Sequence, residues 1–168
     1  MTDLIKAVRF NDLSLEDPFF ASLREDYKPG FDSWFKKKNQ EIAYVFHNSR
    51  GELLGFVYPK IEEGPLTDLS PALPAARRLK IGTFKIEAHG TKLGQRFLKK
   101  CFDLAISLNA DEIYVTAFPK HSKLIQLLSQ YGFEKVGTKS SKSGIEDVYV
   151  KKLGTTHQDQ RKNYPIIN

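Results

Sequence analysis

The chain has 168 residues, 40% hydrophobic and 27% charged, which is enough for one domain with a genuine core and ordinary for a globular protein. Its single cysteine, Cys101, excludes an intrachain disulfide and suits a reducing cytosol, so a cytoplasmic location is expected. The net charge of +6 favours anionic partners without naming one, no apolar run approaches the ~20 residues of a membrane span, and "MTDLIKAVRFND" lacks the layout of a signal peptide.

Residues 4–10 alternate loosely and predict a first strand. A helix follows in "SLEDPFFASLREDY", with Ser14 or Asp17 as N-cap and Pro18 in its first turn. "KPG" breaks it, and "FDSWFKKKN" starts a second, short helix with Asp32 or Ser33 as cap and lysines at its C-terminal end, where they suit the dipole. "EIAYVFHN" and "ELLGFVYPKIE" read as strands joined by the hairpin signal "SRG". Residues 63–76 hold Pro65, Pro71 and Pro74 and predict one long irregular loop, a kind of segment that is often functional. "RLKIGTFKIE" is the next strand. The helix behind it, about residues 93–108, puts Leu93, Phe97, Leu98, Cys101, Leu104, Ala105 and Leu108 on one stripe, with Gln95, Arg96, Lys99, Lys100 and Asp103 opposite. "EIYVTAF" is a strand. "HSKLIQLLSQYG" is a helix with Ser122 as cap and Gly132 just past its end. "FEKVGTKS" and "EDVYVKKL" form a last hairpin around "SKSG". Hairpins mixed with strand–helix–strand crossovers predict an α/β sheet, part antiparallel and part parallel, with helices on both faces.

Several familiar sites are excluded by spacing. His47, His89, His121 and His157 show no metal-ligand spacing among themselves or with Cys101, so no metal is expected. "GTKLGQ" places its lysine inside the turn and is not a P-loop. There is no G-x-S-x-G elbow and no dinucleotide-binding G-x-G-x-x-G. Cys101 lies on an apolar stripe and reads as packing rather than as a nucleophile. What remains is the turn "EAHGTKLGQ". A strand that ends near Glu87 and a helix that begins near Leu93 leave the amides of residues 90–94 without intrahelical partners. Free amides at the positive end of a dipole can hold an anion, and Gly94 lets a bulky group approach the backbone. An ordinary strand-to-helix turn would look the same, and the turn alone does not separate the two.

The order of elements adds to this. Strand, glycine turn, long helix, strand, helix, "YGFEKVG", strand and hairpin resemble the GNAT (N-acetyltransferase) superfamily over residues 1–153, with 154–168 as a C-terminal tail into a missing or following segment. Its motif Q/R-x-x-G-x-G/A falls on His89-Gly90-Thr91-Lys92-Leu93-Gly94, and its closing helix on His121 to Gly132-Phe133. The resemblance implies a mixed, mainly antiparallel central sheet with helices on both faces. It implies transfer of an acetyl group from acetyl-CoA, or a related acyl-CoA, to an amine by direct attack in a ternary complex. The amides of residues 89–94 would bind the cofactor's pyrophosphate. Phe84, Ile86 and Ala88 would pair through their backbone with the pantetheine arm, and His121 would touch the cofactor.

The sequence departs from the pattern at five places, one of them Leu124 in place of an alanine. His89 stands for the usual Gln or Arg, and Lys92 for the first key glycine. His121 replaces an asparagine, and Leu128 stands where the family's thiolate-protonating tyrosine is usual. Tyr131 could serve instead, or pack beneath Gly132. Glu87, with Glu112 as second choice, is the nearest carboxylate for a general base. A GNAT-fold module that binds acyl-CoA or RNA with weak or no chemistry is the alternative. Lys36, Lys37, Lys38, Arg77, Arg78, Lys139 and Lys142, with Tyr27 and Trp34, read as a basic, aromatic rim for an RNA acceptor such as tRNA, or as solubilising charge. A homodimer is compatible with the sequence, which does not name the acceptor.

Overall fold

A computed structural model, which describes residues 4–87 and 92–154, has eight strands and four α-helices among those residues. In chain order they are β1 (Lys6–Arg9), α1 (Ala21–Asp26), α2 (Phe31–Lys37), β2 (Ile42–His47), β3 (Leu53–Leu66), β4 (Leu69–Ser70), β5 (Leu73–Ile86), α3 (Leu93–Ser107), β6 (Glu112–Ala117), α4 (Ser122–Gln130), β7 (Glu134–Ser141) and β8 (Gly144–Lys152). The sheet order is β1-β2-β3-β5-β6-β8-β7-β4. β1/β2, β2/β3, β6/β8, β7/β8 and β4/β7 pair antiparallel, whereas β5/β6 pair parallel across the α3 crossover. This is the mixed, mainly antiparallel sheet expected from the sequence.

The largest correction concerns residues 63–76. They do not form a loop: β3 runs on to Leu66, β5 begins at Leu73, and Leu69–Ser70 adds β4 to the sheet edge against Lys139 and Thr138 of β7. The prolines misled the reading because proline is tolerated at strand ends and edges, where its missing N–H costs no ladder bond. β4 can lie close to β7 because residue 137 is glycine. A Cβ there would stand 2.5 Å from the Ser70 carbonyl oxygen, and the β7/β8 register shifts between Lys135 and Gly137.

Helix ends correct smaller details. Asp17 caps as expected, accepting from the Phe19 amide at 2.9 Å ahead of Pro18, but the segment begins as a 3-10 turn and α1 is only six residues. Neither Asp32 nor Ser33 caps α2: Gly30 precedes it, and Asp32 pairs with Arg24 at 2.8 Å. Ser122 likewise is the first residue of α4 rather than its cap, which is His121. On α3 the stripe is buried from Leu93 to Ala105, yet Leu104 is half-buried and Leu108 is exposed past the last turn.

The chain divides into two compact units, residues 1–58 with 83–97 and residues 59–82 with 98–168. In the first unit the core is aromatic. Phe10 meets Trp34, Phe56 and Tyr58 edge-on at 5.7, 5.6 and 5.1 Å, and Phe20 meets Phe35 and Phe56 in the same way. Such edge-to-face pairs add about 0.5–1.5 kcal/mol each beyond the buried area. In the second unit Leu69, Tyr114, Val148 and Val150 form one buried cluster, with Leu66, Leu73 and Val136 packed against it.

Candidate active site

In the first unit the end of β5 leads toward α3. Glu87 donates its amide to the Leu54 carbonyl at 2.8 Å, which ties the strand end to β3. Phe84 is half-buried, its ring 6.2 Å from that of Phe97, so its side chain packs on α3. Ile86 is half-buried as well. Lys85 donates to the Phe19 carbonyl, lies 4.6 Å from the centre of the Phe19 ring, and pairs with the exposed Glu87 at 3.1 Å. Four of the expected cofactor residues, Ala88, His89, Gly90 and Thr91, lie outside the described residues, as does the tail from residue 155.

α3 begins at Leu93, which is buried and anchors the helix start, while Lys92 and Gly94 flank it toward the surface. The first intrahelical acceptor is Lys92, whose carbonyl takes the Arg96 amide at 3.0 Å. The amides of Gly94 and Gln95 therefore precede the helical hydrogen-bond ladder. Arg96, one turn on, lies over the Phe46 ring at 5.5 Å. This end of a fifteen-residue helix carries positive dipole charge with no acidic side chain in its first turn.

In the second unit α4 ends as the sequence predicts. Phe133 donates to the Leu128 carbonyl and Gly132 to that of Ser129, the paired bonds of a Schellman motif, with Gly132 at φ +89°. Tyr131 is the C-cap residue, half-buried, its ring 6.1 Å from Phe102. Leu128 is fully buried, which removes its position from any polar role. His121 precedes α4, half-buried, 6.4 Å from the Phe118 ring.

The parallel ladder of β5 and β6 runs from Arg78↔Glu112 to Ile81↔Val115. Beyond it β5 continues to Ile86 and β6 to Ala117. Two pairs of this ladder carry charge that the sequence reading placed elsewhere or missed. Arg78, expected on a basic rim, is 2% exposed. Its guanidinium donates to Glu112 at 2.6 Å and to the Gly64 and Pro74 carbonyls at 3.1 and 2.8 Å. Glu112, the second-choice base, is therefore the partner of a buried cation. Arg77 is engaged too, through Glu63 at 3.3 Å and the Leu108 carbonyl at 2.8 Å, and Lys139 pairs with Asp68 at 3.7 Å. Lys36, Lys37 and Lys142 remain exposed, and Lys38 lies over the Tyr58 ring.

Lys80↔Tyr114 is the other charged pair. Tyr114 is buried and donates to Glu62 at 2.6 Å. Burial first, then that carboxylate, pushes its phenol well above its ordinary range. Lys80 lies 3.9 Å from Glu62 and 6.0 Å from the Tyr114 ring, while Lys60 reaches the same carboxylate at 4.0 Å. Burial lowers the Lys80 pKa, as do the Lys139 and Lys60 ammoniums, against the opposing pull of Glu62 and Asp68. The alternation of "RLKIG" and "EIYVT" put these side chains on one strand face, but only the register brings Lys80 opposite Tyr114.

The sheet order, the parallel β5/β6 pair and the α3 crossover define the class: the chain is a GNAT-fold domain. Among solved structures it is similar to Arabidopsis thaliana Naa50 in complex with the bisubstrate analogue CoA-Ac-MVNAL, at 17% identity and a TM-score of 0.63, covering 90% of this chain and 99% of that one. It is similar to Chaetomium thermophilum Naa20 in complex with a bisubstrate analogue, at 18% identity and TM-score 0.61, covering 95% and 89%. The ribosomal-protein-S5-alanine acetyltransferase of Vibrio fischeri matches at 14% identity and TM-score 0.63, covering 90% and 93%. No protein-family model matches the sequence, and no curated protein matches it. At these identities the likeness establishes the fold.

Proposed function

We propose that the chain is an acyl-CoA-dependent N-acyltransferase, with acetyl-CoA as cosubstrate and an amine as acceptor. The observation that carries this is the start of α3: a fifteen-residue helix whose leading amides precede its ladder, following a strand of the GNAT fold. Neighbours of that fold are complexes with bisubstrate analogues, one of them a CoA–peptide conjugate. The cofactor's pyrophosphate would meet the amide of Gly94 and, from outside the described residues, those of 89–91, with the Lys92 ammonium as a further partner. The backbone of Phe84 and Ile86 would pair with the pantetheine amides, with His121 a further contact. In the reaction the amine nitrogen attacks the thioester carbonyl. The C–N bond forms, the C–S bond breaks, and CoA leaves as a thiolate. Glu87 is the proposed base for the amine proton and Tyr131 the proposed acid for the thiolate.

A second reading, a GNAT-fold module that binds acyl-CoA with little chemistry, is favoured by the buried Leu128 at the position of the family's tyrosine. One experiment addresses both. Thermal scans with saturating CoA, acetyl-CoA and ATP should show a rise in melting temperature with both CoA species, because a ligand that binds only the folded state stabilises it. Gly94→Asp should abolish that shift: a carboxylate in a helix's first turn suits the dipole but repels a pyrophosphate. Absence of a shift with either CoA species overturns the proposal. A shift without free thiol appearing in a mixture of acetyl-CoA and amines selects the second reading.

A further inference from the structure

Lys85 has no role in the function just proposed, and it is held as surface lysines are not. Its side chain is only 14% exposed. The Nζ donates to the Phe19 carbonyl and stands 4.6 Å from the centre of the Phe19 ring, so one residue supplies both an acceptor and a π face. Phe19 is itself fixed: it is buried, and its amide donates to Asp17 at 2.9 Å. A lysine stem ordinarily samples many rotamers, and an anchor of this kind at its tip removes that freedom.

The same ammonium reaches Oε2 of Glu87 at 3.1 Å. Residues two apart on a strand share a face. Phe84 packs on Phe97 of α3, so Lys85 and Glu87 lie on the other face of β5, with Phe19. All of these residues belong to the first compact unit, as do Ile86 and the start of α3. The Glu87 backbone is tied to Leu54, but its carboxylate is 46% exposed. Without a partner, a glutamate so placed would turn through several rotamers. A general base has to stay within about 2.6–3.2 Å of the proton it takes. Lys85 restricts the carboxylate, and the exposure that remains leaves it open to an amine. An ion pair with one partner half in water contributes little to stability, so its effect is on geometry.

We propose that Lys85 is a positioning residue, whose ammonium, anchored on Phe19, holds the Glu87 carboxylate for the acceptor's amine proton; in this the inference rests on the N-acyltransferase reading with Glu87 as base. As the amine nitrogen attacks the thioester carbonyl, the C–N bond forms, the C–S bond breaks and the CoA thiolate leaves. The surplus proton on nitrogen passes to Glu87. Lys85 keeps its own protons and forms no bond to the acyl group.

The test is steady-state thiol release from acetyl-CoA, with a mixture of primary amines that includes a short peptide with a free amino terminus. Lys85→Gln keeps a donor for the Phe19 carbonyl but removes the charge beside Glu87. It should lower kcat about tenfold while the KM for acetyl-CoA and the CoA-dependent thermal shift stay near those of the parent. Lys85→Arg, whose guanidinium can bridge the Phe19 carbonyl and Glu87, should restore most of the rate. In a Glu87→Gln background Lys85→Gln should cost nothing further, because no carboxylate is left to position. An equal loss in both backgrounds, which a merely structural role would give, overturns the proposal. So does a Lys85→Gln variant as fast as the parent. Should Lys85→Gln fail to fold, Lys85→Met carries the same comparison, and if neither folds, Lys85 is structural and the proposal falls. A parent that releases no thiol overturns the N-acyltransferase reading and this inference with it. A parent that turns over while the comparison fails leaves that reading standing and locates the failure at Lys85.

Discussion

Arg78 has three partners for one guanidinium: the Glu112 carboxylate and the carbonyls of Gly64 and Pro74. A lysine at this position is a point charge without the planar fork and cannot span all three. Arg78→Lys keeps the charge but should leave a buried acceptor unmet and destabilise the fold by about 1–3 kcal/mol, the usual cost of an unsatisfied buried polar group. Urea denaturation of the two proteins would check it, and a loss below about 0.5 kcal/mol, typical of a surface change, would contradict the geometry. The sequence could not show this role. In "ARRLK" the two arginines are adjacent, and strand alternation sends them to opposite sides without saying which side is covered. Gly132 was legible because its signal is local. A glycine one residue past a helix end predicts the left-handed conformation found there, φ +89°. Residue-scale features are readable where the cause lies within a turn of chain, and hidden where it lies across the sheet.

The same contrast holds for whole elements. The α3 stripe was visible from its 3.6-residue period, and Leu93, Phe97, Leu98, Cys101 and Ala105 are all buried. What α3 packs on was not visible. Its first turns lie over Gly55 of β3, where an added Cβ would stand 2.5 Å from the Phe97 ring and 3.3 Å from Leu93. Phe97 is fully buried and cannot swing away, so Gly55→Ala should overpack the contact and cost about 1–3 kcal/mol. The displacement would act on the helix start itself. Gly55→Ala is accordingly expected to weaken the CoA-dependent thermal shift as well as to lower the melting temperature of the unliganded protein. A variant as stable as the parent would show that α3 does not approach β3 this closely. Strand β4 was missed for a related reason. Two residues between prolines carry no period, and only pairing with β7 makes them a strand.

Across the molecule, β3, β5 and α3 each contribute residues to both compact units, so neither unit holds a full set of elements by itself. We expect one cooperative transition, and two reporters can test it because each occurs once: Trp34 in the first unit and Cys101 in the second. Burial pushes the Cys101 thiol from 9.0 up to about 12. Between those values the unfolded chain has lost the thiol proton while the folded chain keeps it. The folded state then binds more protons, and stability falls as pH rises, by at most about 1.4 kcal/mol per pH unit for this group. Tyr114 and Tyr149, whose phenols are also raised, add to the fall above about pH 10. Lys80 acts oppositely, since a lowered amine pKa makes stability rise with pH up to the ordinary lysine value of 10.5. Cys101→Ala isolates the thiol, because the other three groups are common to both proteins. Urea unfolding followed by Trp34 fluorescence at pH 8, 9 and 10 should show a steeper alkaline loss in the parent than in the variant. The difference should open only above pH 9. If the Trp34 midpoint ignores Cys101→Ala at every pH while thiol labelling of the parent still reports unfolding, the two units unfold separately, because a proton lost in one unit can shift the transition of the other only when both belong to a single equilibrium.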